Sequence, residues 1–106
     1  MVLDTIIDTE VTTTGSRVKV YTLPSGKVAY LKNLIIYNGS SSDAVVELFS
    51  GDSSDDGNYR ILTVKVAAGE NVILTESMVG GRKAIHDIYV QTDQQPIRVS
   101  GALDLK

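Results

Sequence analysis

The sequence predicts an all-β fold, an antiparallel β-sandwich of jelly-roll-like form with seven to eight strands. Three observations predict it. Runs rich in Val, Ile, Thr and Tyr recur from end to end, clusters of Gly, Ser, Asn and Asp separate them at short intervals, and no long segment of helical period lies between them. Short strands without crossover helices disfavour a parallel sheet and leave a sandwich or jelly roll. With 106 residues, 42% hydrophobic and 22% charged, the chain suits one core and one domain.

The elements follow in order. Residues 1–16 stand apart: Val2-Leu3 and Ile6-Ile7 are punctuated by Asp4, Asp8 and Glu10, and Thr12-Thr13-Thr14-Gly15 then loosens the chain. This segment reads as an N-terminal arm reaching to a neighbouring copy or as an edge strand folded back. Residues 17–106 form the sandwich domain. Residues 17–23 alternate Val18 and Val20 with Arg17, Lys19 and Tyr21, and Pro24-Ser25-Gly26 turns the chain. Residues 27–38 place Val28, Tyr30, Leu34 and Ile36 on one face and Leu31, Ile35 and Tyr37 on the other. Asn38-Gly39-Ser40-Ser41-Ser42 is a turn, and residues 43–50 return as a strand. After a polar loop at 51–58, alternation resumes over 59–66. Ala68-Gly69-Glu70-Asn71 turns into 72–75, and Gly80-Gly81-Arg82-Lys83 breaks the chain before strands at 84–92 and 96–105. Pro96 fits a strand's first residue because it has no N–H to give.

The inventory of reactive groups is thin. No cysteine is present, which excludes a disulfide scaffold, a thiolate metal site and a cysteine nucleophile; one histidine is left. The expectation is therefore a protein that is not an enzyme. Thirteen acidic and ten basic residues give a net charge of −3 with no basic block, so nucleic acid is not an expected partner. The start, Met1 to Asp8, lacks the basic flank and apolar run of a signal peptide or membrane anchor, so no membrane association is expected.

Individual motifs each have an ordinary reading beside the chemical one. Asp52, Ser54, Asp56 and Gly57 match the opening of a calcium loop, which makes Asp52, Ser54, Asp56 and Asn58 the candidate calcium ligands. The twelfth position, however, is Thr63 where a bidentate glutamate is needed, and the ordinary reading is a solvated hairpin loop. Otherwise no cofactor is expected. His86 beside Asp87 is not a catalytic pair, because adjacent strand residues point to opposite faces. Asp43 and Glu47 lie too far apart on one strand for a glycosidase pair. Asn38-Gly39-Ser40 fits a glycosylation sequon but reads as a turn. Five tyrosines and Phe49 admit sugar stacking, against ordinary sheet packing or subunit contact. A cupin-like metal enzyme is disfavoured, since such a centre needs several histidines.

Tyr21-Thr22-Leu23-Pro24-Ser25-Gly26-Lys27, then Leu31-Lys32-Asn33-Leu34-Ile35-Ile36-Tyr37-Asn38, then Ala68-Gly69-Glu70, resembles a pattern in small β-sandwich virion structural proteins of tailed phages and related viruses, of capsid-decoration, neck or tail type. The likeness runs from Tyr21 to the C-terminus. It implies a non-enzymatic subunit that acts by repeated contact with copies of itself or with a capsid or tail partner, and it carries over no site residues.

The two-sided apolar strand leads to the same expectation by a physical route. A small sandwich normally wets one face of each strand, so Leu31, Ile35 and Tyr37 form the expected interface, to be covered by an arm or by another subunit. The resulting expectation is a homo-oligomer of cyclic symmetry such as a trimer, part of a virion if viral and cytoplasmic otherwise. The alternative is a carbohydrate-binding module, calcium-assisted through the Asp52 to Asn58 loop.

Overall fold

The computed structural model describes residues 4–51, 59–75 and 84–105. Among them run nine strands and no helix: β1 (Asp4–Val11), β2 (Val18–Tyr21), β3 (Ala29–Asn38), β4 (Ala44–Gly51), β5 (Tyr59–Val66), β6 (Asn71–Thr75), β7 (Ala84–Ile85), β8 (Asp87–Thr92) and β9 (Ile97–Leu105). Two antiparallel sheets result, one in the order β1-β9-β3-β6 with β7 beside the start of β3, the other in the order β2-β8-β4-β5.

The pairing is nested. β1 pairs β9, β2 pairs β8, β3 pairs β6 and β4 pairs β5, so the chain is one long antiparallel ribbon folded at the β4–β5 end. Two further pairings, β3 with β9 and β4 with β8, roll that ribbon into two sheets. This is the winding of a jelly roll, as the spacing of the strands predicts. Within the N-terminal segment, β1 pairs β9 from Asp4↔Asp104 to Val11↔Ile97, and Ile7 and Val11 enter the core.

The single strand expected at 84–92 is two. The chain leaves β7 in the first sheet, passes through His86, and enters β8 in the second. The His86 N–H donates to Ser50 Oγ at 3.0 Å, which gives the crossing backbone a partner where no ladder serves it.

Between the sheets lies an aliphatic core with Leu34, Ile36, Leu48, Leu74, Ile88, Ile97 and Leu103 among its fully buried side chains. β3 supplies Ala29, Leu31, Leu34, Ile36 and Asn38 to it, a set that strict alternation cannot deliver. The register shows the reason. Leu31 lies opposite Leu103 and Asn33 opposite Ala102, so one extra residue, Lys32, bulges from β3 and resets the phase. Residues on both sides of the bulge therefore face inward, which corrects the expectation that Leu31 shares a face with Ile35 and Tyr37. Gly101 crosses β3 at this place. A Cβ there would run into the Asn33 carbonyl oxygen and lie 2.9 Å from Leu34 Cα.

Asn38 closes the inner row as its one amide. It is fully buried; Nδ2 donates to the carbonyls of Ser42 (2.8 Å) and Val66 (2.9 Å), while Oδ1 accepts from Ser40 N (2.9 Å) and Ser40 Oγ (2.6 Å). Both amide hydrogens are committed, so the folded chain does not offer this sequon to a glycan, and the asparagine acts as the bracket of the 39–43 turn.

Candidate functional site

With the interior filled by aliphatic side chains, chemistry is confined to loops and to the two outer sheet faces. On the β2-β8-β4-β5 sheet the outward residues include Lys19 on β2, Asp87 and Tyr89 on β8, Glu47 and Phe49 on β4, and Arg60 and Lys65 on β5. Phe49 and Tyr89 lie opposite each other, yet they are only 3% and 8% exposed. The Arg17 guanidinium stands 4.1 Å and that of Arg60 6.0 Å from the centroid of the Phe49 ring, and Lys19 Nζ is 5.6 Å from that of Tyr89. The cationic side chains cover the rings and keep their heads in water. Those heads are also paired: Arg60 to Glu47 and Lys19 to Asp87, each at 3.3 Å. The Asp87 hydrogen bond is the main reason the Lys19 ammonium is held above the ordinary lysine range.

The outer face of the β1-β9-β3-β6 sheet is different. Ile35 lies opposite Ile73, Tyr37 opposite Asn71, and on the other side Ile35 meets Ser100 and Tyr37 meets Arg98. Ile73 is 56% and Tyr37 44% exposed, with Ile35 half-buried between them. Arg98 does not cover Tyr37 as Arg17 covers Phe49. Its guanidinium is held toward β1, with Nε and Nη2 each 2.9 Å from a carboxylate oxygen of Asp8, and Nη1 3.6 Å from Glu10. Such a two-point bond fixes the planar group. The remaining neighbours, Asn71, Thr75 and Ser100, are too short to reach across. Among the described residues the result is an exposed apolar patch at the β3–β6 side of a sheet whose β1–β9 side is ionic.

Of the three residues expected at an interface, Ile35 and Tyr37 lie on this face. Leu31 does not: it is 2% exposed in the core, because the Lys32 bulge turns it inward. Ile73 was missed by sequence reasoning. Residues 72–75 form too short a run for alternation to mark an outward side, and the β3–β6 register is what sets Ile73 against Ile35.

Other candidates fare as follows. Asp52, Ser54, Asp56 and Asn58, the candidate calcium ligands, lie outside the described residues, as does the Gly80 to Lys83 break. Among the described residues no group of three His, Cys, Asp or Glu side chains gathers as a metal would require. Asp43 and Glu47 are engaged by Lys65 (3.8 Å) and Arg60 (3.3 Å) respectively. An open cleft of about 420 Å³ lies between the 22–27 turn and the β7–β8 crossing, lined in part by Lys19, Lys27, His86 and Asp87. The Asp87 carboxylate there is occupied, accepting from Leu23 N at 2.7 Å as well as from Lys19. Among the tyrosines whose side chains are described, Tyr37 has the most open ring, while Tyr21 and Tyr30 are partly covered and Tyr89 lies under Lys19.

No protein-family model matches the chain, and no curated protein matches it in sequence. Among solved structures, the chain is similar to the infectious bursal disease virus VP2 subviral particle, with a TM-score of 0.43 and 11% identity over 99% of this chain and 32% of that one. It is also similar to the T=1 particles derived from infectious bursal virus, with a TM-score of 0.39 and 10% identity over 98% of this chain and 29% of that one. The chain thus spans about a third of the length of those proteins. The overlays are loose, and it is the nested strand pairing that makes the fold a jelly roll.

Proposed function

We propose that this protein is a non-enzymatic structural subunit that associates with copies of itself through the outer face of the β1-β9-β3-β6 sheet and so contributes to a larger assembly. The type of assembly we propose is a virion, with the subunit as a decoration, neck or tail component bound to a capsid or tail protein. The observation that carries the reading is the exposed patch of Ile73 and Tyr37 around Ile35, on a molecule whose opposite sheet face buries Phe49 and Tyr89 under cationic side chains. Apolar area on a soluble surface is a cost of about 25 cal/mol per Å² until something covers it. A contact surface accounts for its location on one face.

The jelly-roll winding is compatible with capsid, lectin and cupin chemistry alike, so the choice rests on the residues. A cupin centre would need ligands inside the barrel, where this chain places Leu, Ile and Val. The virion assignment draws in addition on the resemblance of the 21–38 and 68–70 segments to small virion sandwich proteins. Light scattering over a wide concentration range tests self-association. A defined oligomer is expected, and Tyr37→Ser should loosen it about tenfold or more, as truncating an aromatic anchor does. A strict monomer at every concentration would overturn the reading.

A further inference from the structure

Two of the sheet edges carry charge of one sign each, and the signs are opposite. β1 ends one sheet and β5 the other, and each is eight residues long. β1 holds Asp4, Asp8 and Glu10 and no base; β5 holds Arg60 and Lys65 and no acid. Charge of this kind keeps an edge from pairing with its own copy, because like charges would stand opposite each other. It does not keep β1 from β5. Within one copy the two cannot meet, since β1 lies near β2 at one margin of the sandwich and β5 is at the other. Nor do their partners inside the copy use these charges up. Arg98 alone serves both Asp8 (2.9 Å) and Glu10 (3.6 Å), which leaves that strip acidic. Arg60 and Lys65 reach Glu47 (3.3 Å) and Asp43 (3.8 Å) with most of their own length still in water.

Hydrogen bonds at known positions fix which backbone groups of the two edges face outward. Gly39 N donates to Pro96 O at 3.0 Å, so 39 and 96 are a bonded position between β3 and β9, and Ile97, one place on, turns to β1. Val11, Thr9, Ile7 and Thr5 then bond to β9, while Glu10, Asp8, Ile6 and Asp4 direct N–H and C=O to the open side. On β5 the phase comes from Val45. Its N–H donates to Asp93 Oδ1 at 2.8 Å and its carbonyl accepts from Asp93 N at 3.4 Å, both on the β8 side and away from β5. Lys65, opposite Val45, and Thr63 two residues before it therefore direct their backbone groups away from β4. Among the described residues nothing pairs with either open side.

We infer that β1 of one copy pairs antiparallel with β5 of a second copy, head to tail, with Asp4 opposite Lys65 and Ile6 opposite Thr63. The spacing of the charges carries this register. Ile61 bulges from β5, so Arg60 and Lys65, opposite Phe49 and Val45, stand four ladder places apart. Asp8 and Asp4, opposite Ser100 and Asp104, stand four places apart as well. One alignment thus sets Asp4 against Lys65 and Asp8 against Arg60, and it brings the outward backbone positions of the two strands together. Ile7, in the core, comes beside the partly buried Leu62, so the apolar layer continues across the joint. No like charges meet within the pair, because β5 has no acid and β1 no base. A contact between different surfaces repeats from copy to copy and closes as a ring or runs on as a row. The inference rests on the self-association proposed above and adds to it a second contact, at an edge instead of a face.

Charge reversal tests the pairing by recovery. Asp4→Lys with Asp8→Lys makes both edges basic, and Arg60→Glu with Lys65→Glu makes both acidic. Light scattering on either variant alone should show association about tenfold or more weaker than that of the wild type, and an equimolar mixture of the two should recover it, because every joint then regains opposite charges. Melting curves establish that each variant is folded. Amide exchange of the wild-type chain at high and low concentration needs no substitution: the amides of Ile6, Thr63 and Lys65 should slow as concentration rises. Undiminished association of either variant, or a mixture of folded variants no stronger than its components, would overturn the edge pairing while leaving the face contact, read by Tyr37→Ser, standing. A wild-type monomer throughout would overturn both. Should a variant fail to fold, the wild-type amides decide alone, slow exchange in the oligomer supporting the pairing and free exchange overturning it.

Discussion

The two outer faces of this sandwich meet the same problem with different means. On the β2-β8-β4-β5 face, Phe49 and Tyr89 sit side by side in the middle of the sheet and are nearly invisible to water, because Arg17, Arg60 and Lys19 lie across them. On the β1-β9-β3-β6 face, Tyr37 has an arginine directly opposite in register, but Asp8 and Glu10 hold the Arg98 guanidinium away, and Ile73 lies opposite Ile35 with only the short Asn71 and Thr75 on its own side of β6. A cation covers an aromatic ring when its stem lies over it and its own counter-charge does not pull it elsewhere. Position in the sheet is therefore not enough. The ion pairs decide which apolar groups a face conceals and which it presents.

This contrast can be broken most directly at the covered rings. Phe49→Ala is expected to cost about 3 to 5 kcal/mol in urea unfolding, as for a buried aromatic, while Ile73→Ala measured at monomer concentrations should cost less than about 1 kcal/mol. Equal losses would mean that the two faces are not distinct.

Within β3 the same comparison sharpens to one bulge. Leu31→Ala is expected to destabilise by about 2 to 5 kcal/mol, and Tyr37→Ala by under about 1 kcal/mol, under monomer conditions. A cheap Leu31→Ala would return Leu31 to the surface and undo the phase shift at Lys32.

Removing one cover should be milder. Arg17→Ala is expected to cost about 1 kcal/mol and to raise the binding of a hydrophobic dye, since it uncovers the Phe49 ring and turns part of the concealed face into a bare one. Unchanged dye binding would show that Arg17 hides nothing.

The smallest effect is a pH dependence. Lys19 is raised above its ordinary value in the folded chain, chiefly by its hydrogen bond to Asp87. Its contribution is accordingly complete below the ordinary lysine range and is lost as pH rises through the raised value. The stability difference between the wild type and Lys19→Met should therefore be constant through neutrality and shrink only in strongly alkaline solution. A difference that fades on acidifying toward neutral pH would show that the pairing has been misread.

Much of this was legible in the residues. Alternation with frequent turn clusters set the all-β class and most strand limits, because β-branched and aromatic residues at period two leave few other solutions. The turns at Pro24 to Lys27 and Ala67 to Glu70 are also local matters: Gly26 and Gly69 take a positive φ, at 76° and 73°, at the third position of each. The excess of apolar residues around Leu34 was visible too, but its division between faces was not. A bulge adds one residue and inverts every later side chain, and nothing in Leu31-Lys32-Asn33-Leu34 announces it. Gly101 is understood only when β9 is laid against that bulge.

What the sequence determined by itself, then, is what depends on neighbours in the chain: strand character, turn chemistry, the absence of thiols and the scarcity of imidazoles. What the tertiary structure alone decided is whatever depends on partners far away in sequence. That includes the placing of β1 against β9, the crossing of the chain between sheets at His86, the bond that holds Arg98 to Asp8 across a separation of 90 residues, and the exposure of Ile73 beside Ile35. The physical reason is that side-chain burial is set by register, and register is fixed only when two strands distant in sequence meet.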